Sequence, residues 1–333
     1  MSDLRAAVVG VGHLGRHHAR ILKSLAGVEL VGVVDTSPDR GREIAKDLGV
    51  PAFTSHREVL DRVDAVTVAV PTVHHLAVAR DFLDKGVATL VEKPLAMTIA
   101  EGEELVALAR RRRSPLQVGH VERFNPAVRA VEGKLGKPRF IEAHRLSPFK
   151  FRSTDIDVVM DLMIHDLDLV LHFAQSPLKR VDAVGVSLLF GPEDLSNARL
   201  EFENGCVANL TASRISDKSM RKLRVFSENV YASIDTMEKS VRLYRTTREL
   251  AKALASLPAD KEPSLADLAG IPREFYSIEE MDLPDEEPLA AELKAFVEAA
   301  RNRTEPPVPG EDGVRAMRAA EEVVREMRAH QWK

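Results

Sequence analysis

The chain has 333 residues, of which 44% are apolar and 29% charged, with a formal net charge of −4. Those proportions describe a globular protein long enough for two domains, without the basic footprint that nucleic-acid binding needs. No apolar run reaches the length of a membrane span, the first residues pass straight into a strand pattern without a signal peptide, and the single Cys206 cannot form an internal disulfide. Together these point to a reducing, cytoplasmic setting. Cys, His and Glu nowhere fall at zinc-site spacing, so no metal is expected.

Leu4 to Val9 reads as a strand, followed by a turn with Gly10, Gly12 and Gly15 and an amphipathic helix from His17 to Leu25. A second strand, Glu29 to Val34, ends on Asp35, twenty residues beyond Gly15. A G-x-G-x-x-G triplet means little alone, but between a strand and a helix it has a mechanism. Gly10 turns the chain sharply, Gly12 lets backbone approach a pyrophosphate, and Gly15 lets the helix pack on the sheet. The helix N-terminus offers unpaired N–H groups to the phosphates. The carboxylate of Asp35 can accept both hydroxyls of an adenosine ribose, and it would repel a 2′-phosphate. Arg40 softens that repulsion without reversing it. The expected cofactor is NAD rather than NADP.

The next segment, Pro38 to Leu48, predicts a helix with Ser37 as cap and Pro38 at its first position. Short apolar strands follow at Ala65–Val70, Ala88–Val91 and Leu116–Gly119, separated by helices over Val73–Lys85 and Ile99–Arg112. The run Arg110–Arg113 closes the last of these helices, where cations complement the dipole, and reads as a solvated helix end. The alternation predicts an α/β Rossmann domain with a doubly wound parallel sheet over residues 1–122.

From about Pro138 the pattern changes to longer, alternating strands: Arg139–His144, Val181–Phe190, Ala198–Phe202, Cys206–Ser213, Lys222–Phe226, Tyr231–Asp235 and Val241–Tyr244. Glu203-Asn204-Gly205 is a hairpin signal. One long helix is expected over Asp157–Phe173, the stretch Leu257–Pro288 reads as irregular, and helices at Ala290–Arg301 and Gly313–His330 finish the chain. This is an α+β domain with a large, mostly antiparallel sheet over residues 123–333, serving substrate binding and oligomerisation, with final helices that can pack back on the first domain. Apolar residues at alternate positions near Val181–Val186 and Val207–Leu210 predict a sheet face in need of cover, hence a homo-oligomer. A single solvated face is the alternative.

Ligands of open α/β sheets lie at the carboxyl ends of the strands. There, Val70-Pro71-Thr72 is expected to border the cofactor, with Thr72 able to cap the next helix. His75 in that helix either joins the cofactor site or packs. Glu92-Lys93-Pro94 ends the following strand and directs a lysine toward the nicotinamide, making Lys93 the candidate catalytic cation. The second constellation is Asp161, His165, Asp166 and Asp168. Asp161 and His165 stand four apart on one helix face, so the carboxylate can orient the imidazole while its free nitrogen takes a proton. A surface contact, a metal half-site and a helix-end charge cluster are the alternatives. The metal lacks further ligands, and Met160, Met163, Ile164 and Leu167 argue against the surface. Asp168 reads as structural.

Taken together, Gly10-Val-Gly-His-Leu-Gly15, Val70-Pro-Thr-Val-His-His75, Glu92-Lys-Pro94, Arg123-Phe-Asn-Pro126 and Asp161-x-x-x-His165-Asp166 resemble the glucose–fructose oxidoreductase / inositol dehydrogenase (Gfo/Idh/MocA) family. The resemblance spans nearly the whole chain. It implies His13, Leu14 and Glu92 as further cofactor contacts, Lys93 beside the nicotinamide and substrate hydroxyl with a cis bond to Pro94, His165 as general base and Asp161 as its partner. The chain departs from the glycine-rich lead that many members have before this helix, carrying Asp155-Ile-Asp-Val-Val-Met160 instead. Within the family, Val118–Pro126, Ile141–Phe149, Ala198–Arg214 and Arg221–Arg224 look like the branch that oxidises the 3-hydroxyl of UDP-N-acetylglucosamine for an aminotransferase in lipid A-type biosynthesis. A UDP-sugar needs cations for its diphosphate, and Arg123, Arg145, Lys150, Arg152 and Arg214 are available. Taken singly, each reads equally well as a surface cation. The rivals are a dehydrogenase of a free polyol or sugar and a non-catalytic NAD-binding sensor.

Overall fold

The computed structural model describes residues 3–149, 156–189, 192–247, 249, 252 and 275–330. They fall into two compact units, one taking the chain up to Phe124 and again over Glu286–Glu321, the other running Asn125–Asp285 and resuming at Glu322.

In the first unit six strands form a parallel sheet: β1 (Leu4–Val9), β2 (Val28–Val34), β3 (Ala52–Phe53), β4 (Ala65–Val68), β5 (Ala88–Glu92) and β6 (Leu116–Gly119), in the order β3-β2-β1-β4-β5-β6. Helices α1 (Gly15–Ser24), α2 (Pro38–Leu48), α3 (His75–Asp84) and α4 (Ile99–Arg112) connect them. Both sheet faces are covered, which is why β4 and β5 read as continuous apolar runs rather than alternating ones. One face packs Phe82, Leu83 and Leu105 with Val314 and Met317, the other Ile21 and Leu22 with Leu293 and Phe296. The returning helix Pro288–Asn302 thus completes this unit's core. Thr98 and Glu101 form a reciprocal cap on α4, so its start is as the pattern predicts.

Two local expectations change, and one strand is new. β3 has two residues, too few for a periodic signal. β4 ends at Val68, and a 3₁₀ turn over Thr72–His74 precedes α3, so Thr72 begins that turn and caps no helix. Ser37 holds the cap position of α2, but its side chain makes no cap bond.

The second unit opens with a short helix α5 (Pro126–Arg129), capped by the Asn125 side chain, and carries α6 (Ile164–Ala174). Its eight strands are β7 (Phe140–Leu146), β8 (Leu178–Val186), β9 (Leu195–Phe202), β10 (Val207–Ser213), β11 (Met220–Phe226), β12 (Val230–Asp235), β13 (Ser240–Thr246) and β14 (Tyr276–Glu280). The order is β14-β13-β12-β11-β7-β10-β9-β8, antiparallel throughout except between β7 and β10. The hairpin at Glu203–Gly205 joins β9 to β10, with Gly205 at φ +83°. β14 lies inside the stretch that reads as irregular. The helices at its end are α7 (Pro288–Asn302) and α8 (Gly310–Ala329), the latter running past residue 321 into this unit.

Alternation along the strands buries Ile141, Ala143, Leu200, Leu210, Val225 and Leu243 on one face, where α6 packs against β7 and β10. Val181, Ala183, Ala208 and Leu210 are on this covered face too. The apolar alternation in β8 and β10 therefore fills the core and does not mark a second face in need of cover. The opposite face carries polar cross-strand bonds, Asn197 to Thr211 at 2.9 Å and Arg199 to Asn209 at 3.2 Å. Beside them runs an aromatic row in which Phe140, Phe226, Tyr231 and Tyr244 follow at centroid distances of 5.9, 4.4 and 4.9 Å.

The long helix predicted over Asp157–Phe173 is interrupted. Val159–Met163 forms a π-helical turn, and regular α-helix begins only at Ile164.

Candidate active site

The glycine turn is built by close approach. Gly10 has φ +86°, and a Cβ there would stand 2.6 Å from the Ala69 carbonyl oxygen. At Gly15 a Cβ would collide with the Gly10 carbonyl, whereas at Gly12 it would meet nothing within 4 Å, leaving bare backbone at the turn. Two bonds hold this turn: Gly10 N–H donates to the Val34 carbonyl at 2.7 Å, and Val11 N–H to Asp35 Oδ2 at 3.1 Å. The other oxygen of Asp35 accepts the Ser37 N–H at 2.8 Å, and Arg40 stands 3.5 Å from Oδ2. One buried carboxylate thus ties the β2 end to the turn.

A cleft of about 660 Å³ opens over these elements, walled by Gly10, Gly12, His13, Leu14, Asp35, Arg40, Val70 and Pro71. Its size and mixed lining suit a nucleotide cofactor, and the open Gly12 with the α1 N-terminus suits a pyrophosphate. Thr54, Ser55, His56 and His74 also line the wall. The first three follow a strand too short to see; His74 belongs to the Val70–His75 motif but reads there as a packing residue, and it lies in the 3₁₀ turn.

Two expected cofactor contacts turn inward instead. His75 is 1% exposed, with Nδ1 2.9 Å from the Pro94 carbonyl and Nε2 2.9 Å from the Val70 carbonyl. It packs, and burial pushes its imidazole below the ordinary value of 6.5 despite those carbonyls. Glu92 is buried behind Lys93. Its Oε1 meets His18 Nε2 at 2.9 Å, and Oε2 accepts the Lys93 backbone N–H at 3.2 Å. Burial alone would raise the Glu92 carboxyl, but the His18 contact and the Lys93 charge more than reverse this and hold it below the usual carboxylate range. The Lys93–Pro94 bond is cis. His18, fully buried on α1, is the member of this group that sequence reasoning passed over. The signal was present: it lies in register with Ile21 and Leu22 on the buried side of α1, where a histidine needs a partner.

In the second unit Asp161 sits in the π turn and His165 in the first turn of α6, both half-buried. The four-residue spacing therefore spans a π-to-α junction and does not follow one face of a regular helix. Such turns are frequent at functional sites. Asp166, next to His165, receives a bidentate pair from Arg145 on β7, Nε to Oδ2 at 2.9 Å and Nη2 to Oδ1 at 2.8 Å. Arg214 is likewise buried, bonded to Asp194 at 2.9 Å and to the Ile156 carbonyl at 2.8 Å. In the first unit Arg123 pairs with Asp312 at 2.9 Å. These three arginines hold internal carboxylates. Asp168 is 1% exposed, in keeping with a structural residue. Lys150 and Arg152 lie outside the described residues. Among the described residues no group of three or more His, Cys, Asp or Glu could hold a metal ion, and no helix is long and apolar enough to cross a membrane.

A doubly wound sheet in this strand order, with its glycine turn, strand-end carboxylate and open cleft, defines a dinucleotide-binding domain of the dehydrogenase type. Residues 4–120 match the model of an oxidoreductase family with an NAD-binding Rossmann fold, and residues 128–232 match the GFO/IDH/MocA C-terminal domain. The chain belongs to the Gfo/Idh/MocA family of NAD-binding oxidoreductases. It is 38% identical over 300 residues to UDP-N-acetylglucosamine 3-dehydrogenase of Acidithiobacillus ferrooxidans, covering 90% of this chain and 89% of that one. A solved structure of a UDP-N-acetylglucosamine 3-dehydrogenase from the same organism superposes with a TM-score of 0.87 at 36% identity, over 99% of both chains. A scyllo-inositol 2-dehydrogenase (NAD(+)) of Bacillus subtilis is 29% identical over 64% of this chain and 68% of its own.

Proposed function

We propose that this protein oxidises the 3-hydroxyl of UDP-N-acetylglucosamine to the 3-keto sugar with NAD. The observation that carries this reading is the 38% identity to a UDP-N-acetylglucosamine 3-dehydrogenase across 90% of the chain. Bound NAD supplies the hydride acceptor. His165 takes the hydroxyl proton, Asp161 orients the ring and steadies the imidazolium, and the Lys93 ammonium stabilises the alkoxide that develops as the C–H bond breaks. A 3-keto sugar is a substrate for amination, so the product suits an aminotransferase in lipid A-type biosynthesis. The half-buried aromatic row on the polar sheet face supports a homo-oligomer, and the lone buried cysteine suits a reducing cytoplasm.

A second reading, oxidation of a free polyol, is favoured by one observation. Arg123, Arg145 and Arg214, three of the five cations assigned to a diphosphate, are buried against internal carboxylates. Lys150 and Arg152 then remain as the diphosphate cations. Incubation with NAD and a panel of UDP-sugars and inositols, followed by NADH absorbance and product mass, separates the readings. UDP-N-acetylglucosamine should give the fastest turnover and a product lighter by one hydrogen molecule. Faster turnover of an inositol would replace this reading with the polyol one.

A further inference from the structure

The strand end that carries Lys93 is held on each side by a buried histidine. On one side His18, from the glycine-turn helix, meets the Glu92 carboxylate at 2.9 Å, and that carboxylate accepts the Lys93 N–H at 3.2 Å. Gly119 on the neighbouring strand confines the same carboxyl group, since a Cβ there would stand 2.9 Å from it. On the other side His75 reaches the Pro94 carbonyl and the Val70 carbonyl, each at 2.9 Å. Val70 in turn walls the dinucleotide cleft.

We propose that His18 and His75 are positioning residues for Lys93, linking its backbone to the two elements that receive the cofactor. The proposal rests on the reading of Lys93 as the catalytic cation. Packing alone does not call for either histidine. His18 shares its buried helix side with Ala19, Ile21 and Leu22, where a leucine would bury more cheaply. Among the described residues its Nδ1 finds no hydrogen-bond partner, so the contact to Glu92 is what offsets its burial. An N–H at Nε2 and a lone pair at Nδ1 fit both facts. His75 faces a carbonyl oxygen at both nitrogens, while a neutral imidazole has one N–H to give. The ring therefore donates to one carbonyl at a time, and Pro94 is the one adjoining Lys93. A lysine has a flexible four-carbon stem, so its ammonium is placed only as well as the backbone beneath it is fixed.

Amide substitutions separate positioning from mere structural support. Glutamine places an N–H near the position of Nε2, and asparagine near that of Nδ1. His18→Leu and His75→Gln should lower kcat about 10²-fold, the effect of a misplacement near 1 Å, while calorimetric NAD affinity changes less than about threefold. His18→Gln and His75→Asn should recover kcat to within about tenfold of the parent, because each keeps the bond that adjoins Lys93. A second readout is the ¹³C resonance of reductively dimethylated Lys93, assigned by its loss in Lys93→Arg. It should shift in the first pair of variants and return toward the parent position in the second. An unmoved resonance with near-parent kcat in folded His18→Leu overturns the proposal. So does an equal loss of kcat and thermal stability in the Asn and Gln variants of His75, which would make the ring a structural brace only. If Lys93→Met turns over normally, the catalytic reading of Lys93 falls, while the resonance still decides whether the histidines fix it.

Discussion

The two units hold their reactive side chains by different means. In the first, a parallel sheet brings strand ends together, and the site is made of backbone: a glycine turn, strand-end carbonyls and a lysine flanked by a carboxylate and a proline. In the second, strands run antiparallel except between β7 and β10, and their ends do not converge on one edge. There the helix bearing His165 is fixed to the sheet from below by the buried Arg145–Asp166 pair. The buried carboxylates of the first unit's site, Asp35 and Glu92, are met by backbone N–H groups and by His18. A buried ion pair holds geometry too, but its desolvation means that losing one partner strands the other. Changes that loosen the backbone beneath Lys93 should therefore act mainly on rate near neutral pH, whereas breaking the Arg145–Asp166 pair should cost rate and stability together.

The largest effect expected is at His165. His165→Asn should lower single-turnover NADH formation by about 10²–10⁴-fold, the usual span for loss of a general base. NAD affinity should hold, because the residues walling the cleft all belong to the first unit. Asp161→Asn acts on the same imidazole, so the double variant should be little worse than His165→Asn alone. Near-parent rates in His165→Asn would make this histidine structural and leave Lys93 as the candidate base.

The contrast is sharpened at Arg145. Its guanidinium and the Asp166 carboxylate are 5% and 10% exposed, so Arg145→Met takes the bidentate cation from a buried carboxylate and should cost about 3–5 kcal/mol in urea unfolding. Adding Asp166→Leu should recover much of that stability, because the buried carboxylate is gone, without restoring turnover. If Arg145→Met is nearly neutral in stability but raises KM for the sugar, the guanidinium serves substrate after all, and the division between the units fails.

What the sequence makes legible follows from the same division. Backbone sites leave local marks. Gly10, Gly12, Gly15, Asp35 and the Glu92-Lys93-Pro94 tripeptide sit at fixed offsets from apolar strands, and the strand–turn–helix reading recovers them. The covered sheet face is legible from alternation, yet the phase matters: Arg145 shares its inward phase with Ile141 and Ala143, and that phase would have placed it in the core. An arginine in a list of cations looks the same buried or exposed. β14 leaves no trace because Tyr276–Glu280 is exposed at every position, so no alternation exists to read. The π turn over Val159–Met163 has no residue signature, since the sequence pattern of a π turn is that of the helix around it. His18 and His75 bond to groups 74 and 19 residues away, and such tertiary partners are invisible to a local reading.

Asp35 gives a smaller effect with a clear sign. Its carboxylate also accepts the Val11 and Ser37 N–H groups, so replacing it touches the turn as well as cofactor choice. Asp35→Ser should weaken NAD use and narrow the NAD-to-NADP preference by about tenfold, roughly the value of one charge term in a solvated cleft. The ratio of kcat/KM values for the two cofactors measures this. Equal use of both by the parent would show that Arg40, 3.5 Å from the carboxylate, dominates this strand end.

The smallest effect is a pH dependence, and it tests whether the buried histidine beside the Lys93 strand end is held neutral. Burial holds the His75 imidazole below its ordinary value of 6.5, so the folded protein keeps it neutral where the unfolded chain already takes up a proton. Its contribution is therefore complete above pH 6.5 and declines as pH falls from there toward the folded-state value. Glu92 is depressed as a carboxyl, so its contribution is complete above its ordinary value of 4.5 and is lost only as pH falls further. The two groups flank Lys93 but act in separate windows. In thermal melts the parent should lose stability more steeply than His75→Asn as pH falls below 6.5, and the two curves should run parallel at higher pH. Glu92→Gln should leave that upper window untouched and flatten only the acid limb. A parent curve that instead loses stability relative to His75→Asn as pH rises above 6.5 would mean that His75 is protonated in the folded state, donating to Val70 and Pro94 at once.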